Sequence, residues 1–123
     1  MNSSLPHIYL ARHGETAWSL SGQHTGRTDI PLTAQGEKNA AQLGARLQKK
    51  SFTHVFSSPL QRAMRTAHIA GFEKIVKEEP LLLEWNYGQY EGLTTQEIQQ
   101  QNSEWLIFRD GAPRGESLSL IHI

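Results

Sequence analysis

Arginine and histidine side chains follow two short apolar runs of this chain, and together they suit the chemistry of a phosphate ester. Arg12 and His13 come directly after the first run, and Arg62 follows the second. A guanidinium group binds two phosphate oxygens through parallel hydrogen bonds. A neutral imidazole is a competent nucleophile at phosphorus, and its ordinary pKa of about 6.5 leaves it largely uncharged at neutral pH. Nearby arginines lower that pKa further, since like charges disfavour the imidazolium. The sequence therefore predicts an oxyanion site with His13 as its nucleophile.

An attack at phosphorus also needs an acid that protonates the departing oxygen. Glu84 stands beside Trp85 and Tyr87 in an aromatic stretch. We expect partial burial among these rings to raise the pKa of its carboxyl toward the working range. Glu84 is thus the predicted proton donor, and a plain surface carboxylate is the alternative.

Alternating strand and helix patterns predict the fold that brings these groups together. Residues 8–11 and 54–57 are short runs of strand formers, and residues 74–76 form a weaker one. Helical patterns separate them, which indicates a three-layer α/β/α fold with a mostly parallel sheet. In such folds ligands bind beyond the carboxyl ends of the strands, where both arginine clusters lie.

Capping signals predict where the helices begin. Thr33 precedes a helix with an apolar face, which consists of Ala40, Leu43, Gly44 and Leu47. Residues 58–61 and 94–97 both match a capping box. The first of these also places Pro59 at the opening helical position, and Arg62 in the first turn. Residues 18–31 lack a sustained period and are predicted to form a long loop.

Three ordered motifs give the chain a specific resemblance to the histidine phosphatase superfamily, the phosphoglycerate mutase-like proteins. The motifs are Ala11-Arg12-His13-Gly14-Glu15-Thr16, then Ser57-Ser58-Pro59-Leu60-Gln61-Arg62-Ala63-Met64-Arg65-Thr66-Ala67, then Leu83-Glu84-Trp85-Asn86-Tyr87-Gly88-Gln89-Tyr90-Glu91-Gly92. Residues 21–29, 84–88 and 105–111 are similar to the sedoheptulose-bisphosphatase-like branch. The resemblance implies a phosphatase of small phosphorylated metabolites such as sugar phosphates, with phosphoglycerate mutase as the alternative.

The same resemblance assigns roles to individual residues. It implies that His13 becomes a phosphohistidine, that Arg12 and Arg62 hold the phosphoryl oxygens, and that Glu84 donates and accepts the proton. The substrate-binding residues that it implies are Gly14, Glu15, Thr16, Ser19, Thr25, Gly26 and Tyr87. It implies no metal and no organic cofactor.

Composition and charge exclude some other classes of protein and argue against others. The chain has 123 residues, a length typical of one domain or part of one, and no cysteine, which excludes a disulfide scaffold and a thiol nucleophile. Its 12 basic and 12 acidic residues give no net charge, so we expect no nucleic-acid or membrane partner. The histidines lack metal-ligand spacing. Without a secretory signal or a long apolar run, a cytoplasmic location is predicted, and the oligomeric state stays open.

One expected element is missing from the sequence. The family takes a second histidine from a later Gly-His or Ser-His motif, and this chain has neither; its other histidines, His7, His24, His54, His68 and His122, stand in different contexts. Residues 118–123 match what a common transposase sequencing adapter encodes. We therefore expect residues 1–117 to be the N-terminal part of one histidine phosphatase domain, and residues 118–123 to be a non-native tail. This predicts weak activity at best, and an inactive phosphate-binding fragment is the alternative.

Overall fold

A short parallel sheet surrounded by helices forms the framework of the chain. The structure is a computed structural model that describes residues 4–117, so the predicted non-native tail lies outside the described residues. The described elements are α1 (Ala17–Ser21), α2 (Ala34–Leu47), β1 (Val55–Ser57), α3 (Gln61–Ala67), β2 (Val76–Glu78), α4 (Thr95–Gln101) and α5 (Ile107–Asp110). A π-helical turn (His68–Phe72) extends α3, and 3-10 turns lie at Pro80–Leu82 and Gly88–Tyr90. The predicted α/β class is confirmed.

The sheet pairs β1 with β2 in parallel, and α3 forms the connection between them. The register places Val55 opposite Val76 and Ser57 opposite Glu78. The first of these strands is predicted within one residue. The second begins two residues later than the predicted 74–76, because a turn bond from the Ile75 N–H to the Phe72 carbonyl holds the preceding residues out of the sheet.

The predicted strand at residues 8–11 is wrong for this structure. Its backbone is not paired with any strand of the described chain, and Ile8 and Leu10 are 83% and 94% exposed. Tyr9 alone has an aromatic contact, an edge-to-face packing on Phe52 at 5.3 Å between ring centroids. A strand needs a partner for its N–H and C=O groups, and an apolar run alone does not supply one.

Helix α2 begins and packs as the sequence predicts. The Thr33 hydroxyl accepts a hydrogen bond from the Gly36 N–H at 3.1 Å, and Ala40 and Gly44 are buried. Leu43 and Leu47 are half-buried. Helix α4 also begins with the predicted capping box between Thr94 and Glu97.

The predicted capping box of α3 is wrong. The helix begins at Gln61 rather than at Pro59, and no side chain of its own N-cap residue, Leu60, caps it. Instead, the Gln61 N–H donates to the Asp29 carboxylate at 2.7 Å. An acceptor from a distant loop therefore replaces the local cap.

The predicted loop at residues 18–31 contains part of a helix. Thr16 and Ser19 form a reciprocal capping box that opens α1.

The buried apolar side chains of the described residues are Ala40, Trp85, Ile98 and Trp105. Among the helices described, none is long and apolar enough to cross a bilayer.

Candidate active site

The orientation of the His13 ring is set by a backbone contact. Its Nδ1 lies 2.7 Å from the Gly14 carbonyl oxygen. A carbonyl oxygen can only accept, so this contact assigns the proton of the neutral ring to Nδ1. The second nitrogen, Nε2, then carries the free lone pair. His13 therefore has the tautomer that a nucleophile at Nε2 requires.

The electrostatic surroundings favour the neutral form of this ring. Partial burial is the main cause that lowers the pKa of His13 below its ordinary value, and the positive charges of Arg62 and Arg12 lower it further. The Gly14 hydrogen bond and the negative charge of Glu84 act in the opposite direction. The predicted influence of both arginines on His13 is therefore present.

Close backbone packing holds the His13 loop against α2. A Cβ atom added to Gly14 would lie 2.3 Å from the Gly36 carbonyl oxygen, and one added to Gly36 would lie 2.2 Å from the Glu15 carbonyl oxygen. The Thr33 N–H donates to the same Glu15 carbonyl at 2.9 Å. Only glycine leaves enough space at both positions, so the loop that carries His13 is fixed to the start of the helix.

Arg62 is the most firmly held charged side chain of the site. It is 3% exposed, and its Nη2 and Nη1 donate to the carbonyls of Gly26 and Thr28 at 2.8 and 2.9 Å. Burial lowers the pKa of its guanidinium, while nearby carboxylates counteract this; arginine nevertheless stays charged. The structure shows hydrogen bonds for two of its N–H groups, one on each Nη, among the described residues.

Arg12 and Glu84 are the more accessible charges near His13. Arg12 is exposed. Glu84 is exposed too, so the predicted desolvation of its carboxyl among aromatic rings is wrong: Trp85 turns into the core while Glu84 faces outward. The Glu84 Oε1 accepts a hydrogen bond from the Trp85 N–H at 2.9 Å. This contact leaves Oε2 available for a proton.

Three predicted substrate-binding residues near His13 have structural contacts. The Glu15 carboxylate accepts from the Thr33 hydroxyl at 2.7 Å. Thr16 is 1% exposed and caps α1, so the structure gives it no surface for a ligand. Ser19 is exposed, but its hydroxyl is bonded to the backbone of Thr16.

The other predicted substrate-binding residues are Thr25, Gly26 and Tyr87. Thr25 is half-buried, and its hydroxyl donates to the Gln23 carbonyl at 3.3 Å. Gly26 is buried, and an added Cβ would lie 2.0 Å from the Trp85 carbonyl oxygen. Tyr87 is half-buried and stacks on His24 with ring centroids 4.8 Å apart. Burial raises the pKa of its hydroxyl, with negative charges nearby adding to the effect.

An open cleft of about 650 Å³ borders one side of His13. Arg12, Gly14, Glu15 and Ser19 also line it, together with apolar residues such as Leu10 and Leu43. Arg62, Glu84 and Tyr87 do not line this cleft. His13 thus borders this cleft, whereas Arg62, whose charge lowers the pKa of His13, does not.

The structure also shows contacts around the candidate site that residue types alone do not reveal. The Glu91 carboxylate accepts from the backbone N–H groups of Gly26 and Thr28. Arg27 forms an ion pair with Glu116 at 3.2 Å and donates to the Glu84 carbonyl. In the sequence, the position of Glu91 inside the third motif is the only indication that it belongs to the site.

Metal-ligating groups are not concentrated anywhere in residues 4–117. No group of three or more His, Cys, Asp or Glu side chains in this part of the chain is arranged to hold a metal ion. Two further cations, Arg109 and Arg114, are both exposed, and Arg109 is ion-paired with Asp110 at 2.9 Å.

The fold and the site define an α/β protein in which a neutral histidine lies near two arginines, an arrangement suited to an anion such as phosphate. Comparison with known families agrees with that class. The sequence model of the histidine phosphatase superfamily (branch 1) matches residues 8–122. The chain belongs to this superfamily.

Some of the curated relatives are named as phosphatases and others as phosphoglycerate mutases. An acid phosphatase of Mycobacterium tuberculosis is 41% identical over 94% of this chain, and a sedoheptulose 1,7-bisphosphatase of Saccharomyces cerevisiae is 35% identical over 98%. A probable phosphoglycerate mutase of Escherichia fergusonii is 36% identical over 90%. The chain spans 57%, 53% and 55% of the lengths of these three relatives.

Solved structures are similar in fold as well as in sequence. An open reading frame product of Mycobacterium tuberculosis matches with a TM-score of 0.81 and 41% identity, over 89% of this chain and 57% of its own. A phosphoglycerate mutase of Thermus thermophilus matches with a TM-score of 0.74 and 40% identity, over 89% of this chain and 62% of its own.

Proposed function

We propose that this chain carries the phosphoryl-accepting part of a phosphomonoester hydrolase, and that His13 forms a phosphohistidine. The observation that carries the proposal is the hydrogen bond from Nδ1 of His13 to the Gly14 carbonyl, which leaves the lone pair on Nε2. Nε2 attacks phosphorus, an N–P bond forms, and the ester P–O bond breaks. Arg12 and Arg62 stabilise the charge on the transferring group, the main source of catalysis in such sites.

Glu84 supplies the proton in this mechanism. It protonates the departing oxygen, and the resulting carboxylate then takes a proton from the water that attacks the phosphohistidine. The N–P bond breaks, and phosphate and a neutral imidazole are regenerated. The electrostatic influence of Glu84 on His13, which places the two groups near each other, supports this role.

Single-turnover experiments test this first step. Incubation with p-nitrophenyl phosphate is expected to release one p-nitrophenolate per chain and to leave an acid-labile phosphoryl group on His13. His13→Ala abolishes both, whereas His54→Ala, at an exposed position, retains them. Labelling that survives His13→Ala would move the nucleophile elsewhere.

The role of Glu84 has a separate test, because p-nitrophenolate leaves without being protonated. Glu84→Gln is expected to slow the reaction of an alkyl phosphate far more than that of p-nitrophenyl phosphate. An equal loss on both substrates would assign Glu84 a role other than proton donation.

The substrate that we propose is a small phosphorylated metabolite, such as a sugar phosphate. The names of two relatives, an acid phosphatase and a sedoheptulose 1,7-bisphosphatase, support this choice. The absence of net charge fits a small partner better than a nucleic acid or a membrane surface.

A phosphoglycerate mutase is the second candidate, and the relatives with that name favour it. In a mutase the phosphohistidine returns its group to a bound phosphoglycerate. Incubation with 3-phosphoglycerate separates the two: free phosphate supports the hydrolase, and the isomerised product supports the mutase.

We also propose that residues 1–117 are the N-terminal part of one histidine phosphatase domain and that residues 118–123 are a non-native tail. The missing second histidine motif, together with the 53–57% of the relatives' lengths that the chain spans, supports the first part of this proposal. The second part rests on the match of residues 118–123 to a sequencing adapter, although the family model extends to residue 122. The 123-residue chain is then expected to turn over slowly, while the complete protein hydrolyses phosphate esters. Independent sequencing reads that place residues 118–123 in genomic DNA would contradict the tail, and comparable turnover by both forms would contradict the activity difference.

A further inference from the structure

The loop at residues 26–28 lies between two opposite charges. On one side, the Glu91 Oε1 accepts from the N–H groups of Gly26 and Thr28 at 2.7 and 2.8 Å. On the other side, the carbonyls of the same two residues accept from Arg62 at 2.8 and 2.9 Å. Each residue thus donates to the carboxylate and accepts from the guanidinium.

This arrangement restricts the direction of the Arg62 side chain. The guanidinium is planar, and two hydrogen bonds to carbonyls two residues apart fix the orientation of that plane. Those carbonyls keep their positions only if the adjoining amides are held. Glu91 holds them through charge-assisted hydrogen bonds, which are roughly twice as strong as neutral ones.

The packing around the loop allows little alternative geometry. Gly26 is buried, and a Cβ on it would lie 2.9 Å from the Glu91 Oε2 as well as 2.0 Å from the Trp85 carbonyl oxygen. Oε2 itself is buried and has no hydrogen-bond partner among residues 4–117. A buried acceptor without a partner is costly, so the two hydrogen bonds of Oε1 stabilise the loop while the burial of Oε2 opposes that gain.

We propose that Glu91 is a positioning residue that acts through the loop 26–28 to aim the Arg62 guanidinium at the phosphoryl group. This inference rests on the proposed function, in which Arg62 binds the transferring phosphoryl group. Glu91 itself touches no reacting atom. Its effect on phosphoryl transfer therefore disappears when the guanidinium is removed.

A double-mutant cycle tests that dependence. The measured quantity is the first-turnover rate of p-nitrophenolate release by the 123-residue chain from p-nitrophenyl phosphate. Glu91→Gln keeps the side-chain shape and an oxygen for the two amides but removes the charge. It is expected to slow release by about tenfold. In the Arg62→Gln background, the same substitution is expected to change the rate less than twofold.

A control and a second variant keep the test independent of stability. Glu104→Gln changes an exposed glutamate and is expected to leave the rate unchanged. Glu91→Asp keeps the charge but withdraws it from the amides, and its effect is also expected to require Arg62. A purely structural loss would persist in the Arg62→Gln background. The proposal is therefore overturned if Glu91→Gln and Glu91→Asp slow release equally with and without Arg62. It is also overturned if both Glu91 variants keep full activity.

The cycle also separates this inference from the proposed function. If Arg62→Gln alone leaves release unchanged, the proposed role of Arg62 is wrong and the role of Glu91 falls with it. If Arg62→Gln slows release and the Glu91 variants do not, only the positioning role is wrong.

Discussion

The arginine side of the candidate site and the N-terminal segment differ in how they are held. Arg62 is 3% exposed and hydrogen-bonded to two carbonyls, whereas Leu10, three residues before His13, is 94% exposed. The sequence pattern predicts a regular element at both places, a strand at residues 8–11 and a helix that begins just before Arg62. The difference is that the partners of Arg62 lie within the described chain, while residues 8–11 have no strand partner there. The contacts that hold Arg62 therefore form without a strand at residues 8–11.

The largest effect on stability is expected from Arg62→Met. This change leaves the carbonyls of Gly26 and Thr28 without their donors, and the free energy of unfolding should fall by about 2–4 kcal/mol. Urea unfolding followed by tryptophan fluorescence measures it. Arg65→Met, on the same helix but in an exposed ion pair with Glu37, is the matched control and should cost less than about 1 kcal/mol. Equal losses would mean that the buried contacts of Arg62 do not stabilise the site.

A smaller effect is expected from Gly26→Ala. The new Cβ would lie 2.0 Å from the Trp85 carbonyl oxygen, so the loop must move at a cost of about 1–3 kcal/mol. Because the moved loop also displaces Arg62, release of p-nitrophenolate should slow. Gly22→Ala, at a φ of +79°, is strained, but its added Cβ meets no atom within 4 Å. It should lower stability without slowing release, and similar slowing by both would contradict this account.

The arginines also have a measurable effect on the titration of His13. Burial and the two positive charges lower its pKa below the ordinary 6.5. Arg12→Gln should raise this pKa, and Lys77→Gln should leave it unchanged, as followed by NMR of the imidazole protons. Because the folded chain resists protonation at His13 while the unfolded chain accepts it, the contribution of this ring to stability should fall as the pH drops below about 6.5. An unchanged pKa of His13 in Arg12→Gln would show that Arg12 does not act on His13.

The smallest effect is expected in the N-terminal segment. Leu10→Ser replaces an exposed side chain and should change the free energy of unfolding by less than about 0.5 kcal/mol. Ile98→Ala, at a fully buried position, should cost about 2–4 kcal/mol in the same assay. A large loss from Leu10→Ser would show that residues 8–11 are packed in solution, and the contrast between the two regions would be lost.

Features with short-range causes could be predicted from the sequence. The caps at Thr33 and Thr94 involve residues only three positions apart, and both are confirmed. The cap of α3 could not be predicted, since its acceptor, Asp29, is 32 residues away. Long-range tertiary contacts override a local signal in such cases.

Some features of the candidate site could likewise be predicted from the sequence, and others could not. The choice of His13 and Arg62 depends on residue type and motif, which the sequence displays directly. The burial of Thr16 and the contacts of Glu91 depend on packing between distant segments, since Glu91 meets its amides 63 and 65 residues earlier in the chain. Nothing local in the sequence encodes those distances.

The central claim concerns one nitrogen atom, and its phosphorylation can be observed directly. The chain, labelled with ¹⁵N at histidine, is mixed with p-nitrophenyl phosphate, quenched in alkali and analysed by ³¹P–¹⁵N NMR and mass spectrometry. We predict a phosphoryl group on Nε2 of His13, because Nδ1 is engaged with the Gly14 carbonyl. A phosphoryl group on Nδ1 or on another residue, or an unmodified chain, would contradict the account.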